Sequence, residues 1–207
     1  NLTGNGCHAH VSVWDKTGKK NLFHSARDSL GLSKLAYQFL GGVLHNADAL
    51  AAIFNPTVNS YKRIDAQVTL SGATWSPNAI TYGGNNRTHM VRVPDKGRFE
   101  LRLMDGAVNP YLLQAGVLAA GLDGVDNQRD PGKPHDINMY TEGHKLRGVR
   151  RLPSNLLDAI RVFEKSKVLK AGLGEELVAS YAKLKHLEWR SYAAAISPWE
   201  RNHTLDC

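Results

Sequence analysis

Residues 85–111 hold two strand-length runs, 88–93 and 98–104, joined by Pro94-Asp95-Lys96-Gly97, the punctuation of a tight hairpin. A β-strand sends successive side chains to opposite faces, so the second run divides in two. Phe99, Leu101 and Leu103 make an apolar face that needs a core. Arg98, Glu100 and Arg102 make the other, and Arg87, Arg92 and Lys96 are close in sequence. One carboxylate among so many cations leaves surplus positive charge on a small hairpin, which an anionic occupant would balance. Guanidinium forks match carboxylate and phosphate oxygens two at a time. Glu100 has two readings: ion-pair partner of the neighbouring arginines, or hard oxygen ligand for a divalent cation.

Upstream, Thr3-Gly-Asn-Gly-Cys-His-Ala-His-Val-Ser-Val-Trp14 is a Gly-rich entry into another strand. Parity places His8, His10 and Ser12 on one face and Cys7, Ala9, Val11 and Val13 on the other. Two imidazoles at i and i+2 can reach one metal ion or polyphosphate, or stand as half-exposed strand histidines. Asp15-Lys-Thr-Gly18 reads as a turn and residues 21–23 as a short return strand.

Helical spacing of Leu32, Leu35, Ala36, Phe39, Leu40, Val43 and Leu44 predicts a helix within 29–54, capped by Ser33. Its Gly41-Gly42 pair costs helix propensity, which argues for a closely packed neighbour. Residues 47–54 continue that helix or start a second one. Residues 55–63 read as a polar, Asn-rich loop, 65–77 as a Thr/Ser/Gly-rich flap, and 79–82 as a short strand. Asn109 and Pro110 open a helix that is apolar nearly all round and should be buried. Residues 126–149 read as a long loop. A helix capped by Ser154 follows and breaks at Gly172-Leu-Gly174. A last helix over 175–195 carries Leu177, Val178, Tyr181, Leu184 and Leu187, and a polar tail closes the chain from Ser197.

The chain has 207 residues, room for one large domain or two small ones, and a net charge of +7. The charge favours anionic ligands. The bases are not bunched, however, and no zinc-finger or RNA-recognition signature appears, so no nucleic-acid partner is expected. No apolar run is long enough for a membrane span. The two cysteines, Cys7 and Cys207, lie at opposite ends of the chain and make no disulfide framework, which favours a reducing, cytoplasmic setting.

Four segments together resemble the glutamine synthetase family. Gly4-Asn-Gly-Cys-His-Ala-His10 resembles its Asn-Gly-x-Gly-x-His-x-His signature. Asn55-Pro-Thr-Val-Asn-Ser-Tyr-Lys-Arg63 is similar to its Asn-Pro-Thr-x-Asn-Ser-Tyr-Lys-Arg motif at every fixed position. Asn86-Arg-Thr-His-Met-Val-Arg-Val-Pro94 resembles Asn-Arg-Ser-x-x-x-Arg-x-Pro. Arg98-Phe-Glu-Leu-Arg102, followed by Ala107-Val-Asn-Pro-Tyr111 and Leu118-Ala-Ala-Gly-Leu-Asp-Gly124, completes the set in family order. The flap and the tail look like a bacterial subgroup that includes γ-glutamylmethylamide synthetases.

The resemblance implies an α+β fold: an antiparallel curved sheet, half of an active-site barrel, flanked by helices. It implies that residues 1–207 are the C-terminal portion of the catalytic domain, without the N-terminal β-grasp domain and the first part of the catalytic domain. The activity implied is ATP-dependent formation of glutamine from glutamate and ammonia through γ-glutamyl phosphate, with Mg²⁺ or Mn²⁺, in stacked hexameric rings (a dodecamer). A γ-glutamyl-amine ligase for methylamine or another amine, and a non-catalytic homologue or fragment, are the alternatives. By motif position His8 and Glu100 would bind metal. His10, Ser12, Arg92 and Lys96 would bind ATP, Lys96 from a shortened turn. Gly4, Arg63, Arg87 and Arg102 would hold glutamate, with Arg63 and Arg87 also catalytic and Arg87 clamping the phosphoryl group in transit. Thr3 replaces the Asn that opens the first signature, and residues 64–73 contain no flap Glu, which leaves ammonia and a larger amine both open. Tyr140 falls near the position of a regulatory tyrosine in some bacterial relatives.

Overall fold

A computed structural model describes residues 5–64, 66 and 76–204 of the chain. Strands β1 (Ala9–Val11), β2 (Tyr82–Gly83), β3 (Val91–Asp95) and β4 (Arg98–Leu101) form one sheet in the order β1-β4-β3-β2. β4 is antiparallel to β1 and β3, as the hairpin pattern requires. β2 pairs with β3 in parallel, so the sheet is mixed and the wholly antiparallel expectation is corrected. That pairing is brief: the chain loops out after Gly83, returns alongside itself, and Val91 N and Val93 N donate to Thr81 O at 3.0 Å and Gly84 O at 3.1 Å. At the β3–β4 turn Gly97 has φ 72°, a left-handed conformation that suits glycine.

Phe99, Leu101 and Leu103 are each 0% exposed, which fixes the apolar face of the hairpin inward. Phe99 stacks on Phe23 with centroids 5.9 Å apart and meets Phe39 at 6.2 Å. Phe39 belongs to α1 (Lys34–His45), which Ser33 caps by accepting from Ala36 N at 3.2 Å. Asn46 ends α1, its Nδ2 donating to Gly42 O at 2.9 Å and Asp123 Oδ2 at 3.0 Å, so α2 (Ala47–Phe54) is a second helix. The loop expected over 55–63 turns into the short α3 (Ser60–Arg63).

α4 (Pro110–Asp126) crosses α1 closely. A Cβ on Gly42 would meet the Gly124 Cα at 2.6 Å, which explains the glycine pair in α1. The expectation that α4 is buried all round is corrected: Gly116, Val117, Ala120, Gly121 and Gly124 face the core, while Leu118 and Leu122 are 55% and 54% exposed. Residues 126–149 are not a bare loop, since they contain α5 (Met139–Glu142) and a 3₁₀ turn at Gly143–Lys145. Asn155, not Ser154, caps α6 (Leu156–Phe163), its side chain accepting from Asp158 N at 2.9 Å. Then come α7 (Lys167–Leu173), α8 (Glu175–Ala194) and α9 (Pro198–Thr204), the last formed where a polar tail was expected. α8 buries Val178 and Ala182 and half-buries Tyr181, so its expected apolar stripe is corrected: Leu177, Leu184 and Leu187 are exposed. The expected flap lies outside the described residues apart from Ala66, Ser76 and Pro77. Among the described residues no helix is long and apolar enough to cross a membrane.

Candidate active site

Sheet register builds the site. Across β1 and β4, His10 stands opposite Glu100, and across β3 and β4, Arg92 stands opposite Glu100 on the other side. Facing residues on neighbouring strands share a side of the sheet, so imidazole, carboxylate and guanidinium form one row. The ladder continues past β4, with Arg102 N donating to Met90 O and Cys7 N to Met104 O, both at 2.9 Å. That extension brings His8 beside Arg102: Arg102 Nη1 lies 3.3 Å from His8 Nδ1.

Glu100 is the hub. Its Oε1 receives Arg102 Nη1 at 2.9 Å and lies 3.1 Å from His8 Nδ1, and its Oε2 receives Arg92 Nη1 at 2.9 Å. His10 Nε2 is 4.0 Å from Oε1, while Arg98 Nη1 donates to His10 Nδ1 at 2.7 Å. Burial of Glu100 raises its pKa. The hydrogen bond from Arg92 and the charge of Arg102 outweigh that and leave it below its usual range. Burial and the Arg102 charge lower the pKa of His8 against the pull of Glu100. A neutral His8 beside an ionised Glu100 is the protonation state that metal ligation needs.

Arg63 enters from α3. It is 7% exposed, and its Nη2 donates to Asn55 Oδ1 at 2.9 Å and Leu103 O at 2.8 Å. Asn55 is fully buried and also donates from Nδ2 to Leu103 O at 3.1 Å. The two ends of the 55–63 motif therefore clasp each other against the end of β4. Arg63 Nε faces Asp105 Oδ2 at 3.7 Å, an ion pair longer than a hydrogen bond.

The expected residues divide into three groups. His8, His10, Arg92, Glu100 and Arg102 converge on one face, and Arg63 lies at its edge. Ser12, Arg87 and Lys96 are exposed: Ser12 Oγ accepts from Trp14 Nε1 at 3.1 Å, Lys96 packs its stem over Gly31, and Arg87 makes no ion pair among the described residues. Gly4 lies outside the described residues, as does Asp65. Residues given no substrate, nucleotide or metal role from sequence also belong here. Asn55 holds Arg63, Asn85 Oδ1 accepts from Arg92 Nε at 2.8 Å, Asp105 faces Arg63, and the Tyr140 hydroxyl feels the charges of Arg102 and Arg63. For Asn55 the signal was present, as the first residue of its own Asn-Pro-Thr motif. For Asn85 only the folded chain supplies it, and for Tyr140 the sequence suggests a regulatory position and only the folded chain a place beside Arg63 and Arg102.

Arg63, Arg92, Arg98 and Arg102 outweigh Glu100 and Asp105, so the face carries surplus positive charge in a partly water-free setting. Among the described residues, no group of three or more His, Cys, Asp or Glu is arranged to hold a metal ion. His8 and Glu100 offer a neutral imidazole and a hard carboxylate oxygen, which fits part of a divalent coordination sphere and not a whole one. A groove of about 540 Å³ lined by Asp28, Tyr37 and Arg129 contains none of these residues. Asp28 there already accepts from the Tyr37 hydroxyl at 2.9 Å and from Leu30 N and Leu32 N at 3.0 Å, which makes it a loop clasp.

Residues 1–204 match the family model described as "Glutamine synthetase, catalytic domain". The chain is 61% identical over 205 residues to a glutamine synthetase of Rhizobium leguminosarum bv. phaseoli, covering 99% of this chain and 47% of that protein. It is 47% identical over 211 residues to a glutamate–methylamine ligase of Methyloversatilis universalis, covering 100% of this chain and 47% of that protein. The solved structure "GmaS/ADP complex-Conformation 1" superposes with a TM-score of 0.93 at 59% identity, covering 100% of this chain and 47% of that chain. The chain thus spans about half the length of the relatives it matches.

Proposed function

Because this chain belongs to the glutamine synthetase catalytic-domain family, we propose that it is the C-terminal portion of that domain in an ATP-dependent glutamate ligase. The observation that carries the reading is the row across β1, β4 and β3, where Glu100 gathers His8, Arg92 and Arg102 within 3.1 Å. A triphosphate and a dicarboxylate would balance the surplus positive charge there. The curved sheet would form half of an active-site barrel.

In this reading a glutamate γ-carboxylate oxygen attacks the γ-phosphorus of ATP and ADP leaves. The amine nitrogen then attacks the acyl carbon of γ-glutamyl phosphate, loses a proton, and phosphate departs. Arg63, Arg102 and the backbone at Gly4 hold glutamate. His10, Ser12, Arg92 and Lys96 contact ATP; that a similar solved structure is an ADP complex supports a nucleotide as the ligand. Arg87, exposed on the loop between β2 and β3, folds onto the phosphoryl group in transit and neutralises its oxygens. His8 and Glu100 are ligands for Mg²⁺ or Mn²⁺, which would screen the phosphate charge. Such transfer relies mainly on positioning and charge neutralisation, which arginine-rich sites supply. The working assembly is a homo-oligomer of stacked hexameric rings, and its setting is the cytoplasm.

The amine is ammonia or methylamine. Relatives of both kinds match over nearly the whole chain, which is the observation that keeps the second alternative. Phosphate release by the complete gene product, with ATP, glutamate and Mn²⁺ and either amine, tests the proposal. Release should depend on all three substrates and rank the amines by kcat/KM. A folded, oligomeric product that releases no phosphate with either amine would refute it and favour a non-catalytic homologue.

A further inference from the structure

Among the described residues, three buried donors at one end of the site have no hydrogen-bond partner: Arg63 Nε, Arg102 Nε and the Tyr140 hydroxyl. Buried polar groups are nearly always paired, so three orphans together call for an acceptor. The two arginines are 7% and 4% exposed. Each of the three groups lies within electrostatic reach of the other two. Burial pushes the Tyr140 phenol up to about 12 against the pull of Arg102 and Arg63, so at neutral pH it is an O–H donor and not a phenolate. Two cationic donors and one phenol, with Asp105 no nearer to Arg63 Nε than 3.7 Å, describe a pocket for a carboxylate.

Tyr140 is held there deliberately. Asn138 Oδ1 accepts from Tyr140 N at 2.9 Å and starts α5. Thr88 Oγ1 accepts from Met139 N at 3.0 Å, and Asn86 Nδ2 donates to Ile137 O at 2.8 Å. The loop that presents Arg87 therefore also fixes the turn that aims Tyr140.

We propose that Tyr140 is a substrate-binding residue whose hydroxyl donates to a carboxylate of glutamate held between Arg63 and Arg102. This rests on the ligase reading above. It also makes the hydroxyl a poor target for modification in this conformation, because it is buried under the site.

Tyr140→Phe in the complete gene product tests it by steady-state kinetics and thermal melting. The variant removes one oxygen and keeps the ring. KM for glutamate should rise about tenfold, the expected loss for one hydrogen bond to a charged group, with KM for ATP and the melting temperature unchanged. An active wild type and a variant with unchanged glutamate KM would overturn the assignment of Tyr140 alone. A wild type that neither binds nor turns over glutamate would overturn the ligase reading, and Tyr140 with it. Should the Phe variant fail to fold, Thr88→Val leaves the ring in place and frees the turn beneath it. Its glutamate KM should rise and its ATP KM should not, and no selective rise would refute the proposal.

Discussion

At the residue scale the site hangs on Glu100, whose side chain is 5% exposed and whose two oxygens serve two guanidiniums. Removing its charge would leave Arg92 and Arg102 facing each other, and Arg102 is nearly as buried. Breaking a buried pair from one side is costly because the abandoned charge has no water to turn to. Glu100→Gln keeps the shape and should lower stability by roughly 3 kcal/mol in urea unfolding at pH 7. Because the folded pKa of Glu100 is depressed, its ion pairs stabilise fully above the unfolded value near ~4.3. That contribution is lost as pH falls through the folded value, so the gap between wild type and Gln variant should close in acid. The alternation of β4 made this legible: Glu100 and Arg102 had to share a face. Asn85 was not legible, because an amide's role is set by which guanidinium folds back onto it.

At the element scale, α1 and α4 cross so tightly that backbone meets backbone. A Cβ on Gly42 would strike the Ala120 carbonyl and the Gly124 backbone, whereas one on Gly116 would meet the flexible ends of Ile53 and Leu50 at 2.7 and 3.1 Å. Both changes to alanine gain about 1 kcal/mol of helix propensity. Gly116→Ala should therefore be near neutral in urea unfolding, while Gly42→Ala should lose roughly 3 kcal/mol because backbone cannot step aside. This crossing explains a misreading. Sequence patterning treats bulky residues as core, but α4 buries its glycines and alanines and turns Leu118 and Leu122 outward. The Gly41-Gly42 pair gave the close approach away on α1 because it interrupted a clear stripe; α4 has no such contrast. Beside β3, His89 is fully buried, with Nδ1 2.9 Å from Thr81 Oγ1 and its ring stacked on His135 at 6.4 Å. Burial and the neighbouring His135 lower its pKa to about 4. The unfolded chain then takes a proton that the fold refuses. Stability should fall as pH drops from about 6.5 to about 4, by roughly 3 kcal/mol in total. His89→Phe, compared with wild type across that range, should flatten the slope, and an unchanged slope would assign it to other groups.

At the scale of the whole molecule, the fold presents apolar surface that its own core does not use. Tyr111, Leu118 and Leu122 recur at helical spacing along α4 and are 82%, 55% and 54% exposed. On α8, Leu177, Leu184 and Leu187 do the same at 40%, 64% and 49%. Contiguous apolar faces of this kind mark contact surfaces more often than isolated exposed leucines do. A net charge of +7 opposes self-association, so these faces are where attraction has to come from. If the proposed homo-oligomer assembles through them, a second copy of the chain covers one or both. Leu118→Glu with Leu122→Glu, and separately Leu184→Glu with Leu187→Glu, place charge on each face without touching the core. Sedimentation velocity on the complete gene product should then show a smaller particle for at least one pair, with circular dichroism unchanged. Because these positions are solvent-exposed and lie on α4 and α8, not on the strands that build the Glu100 row, a full-sized particle from both pairs would locate the contacts elsewhere without disturbing the site reading.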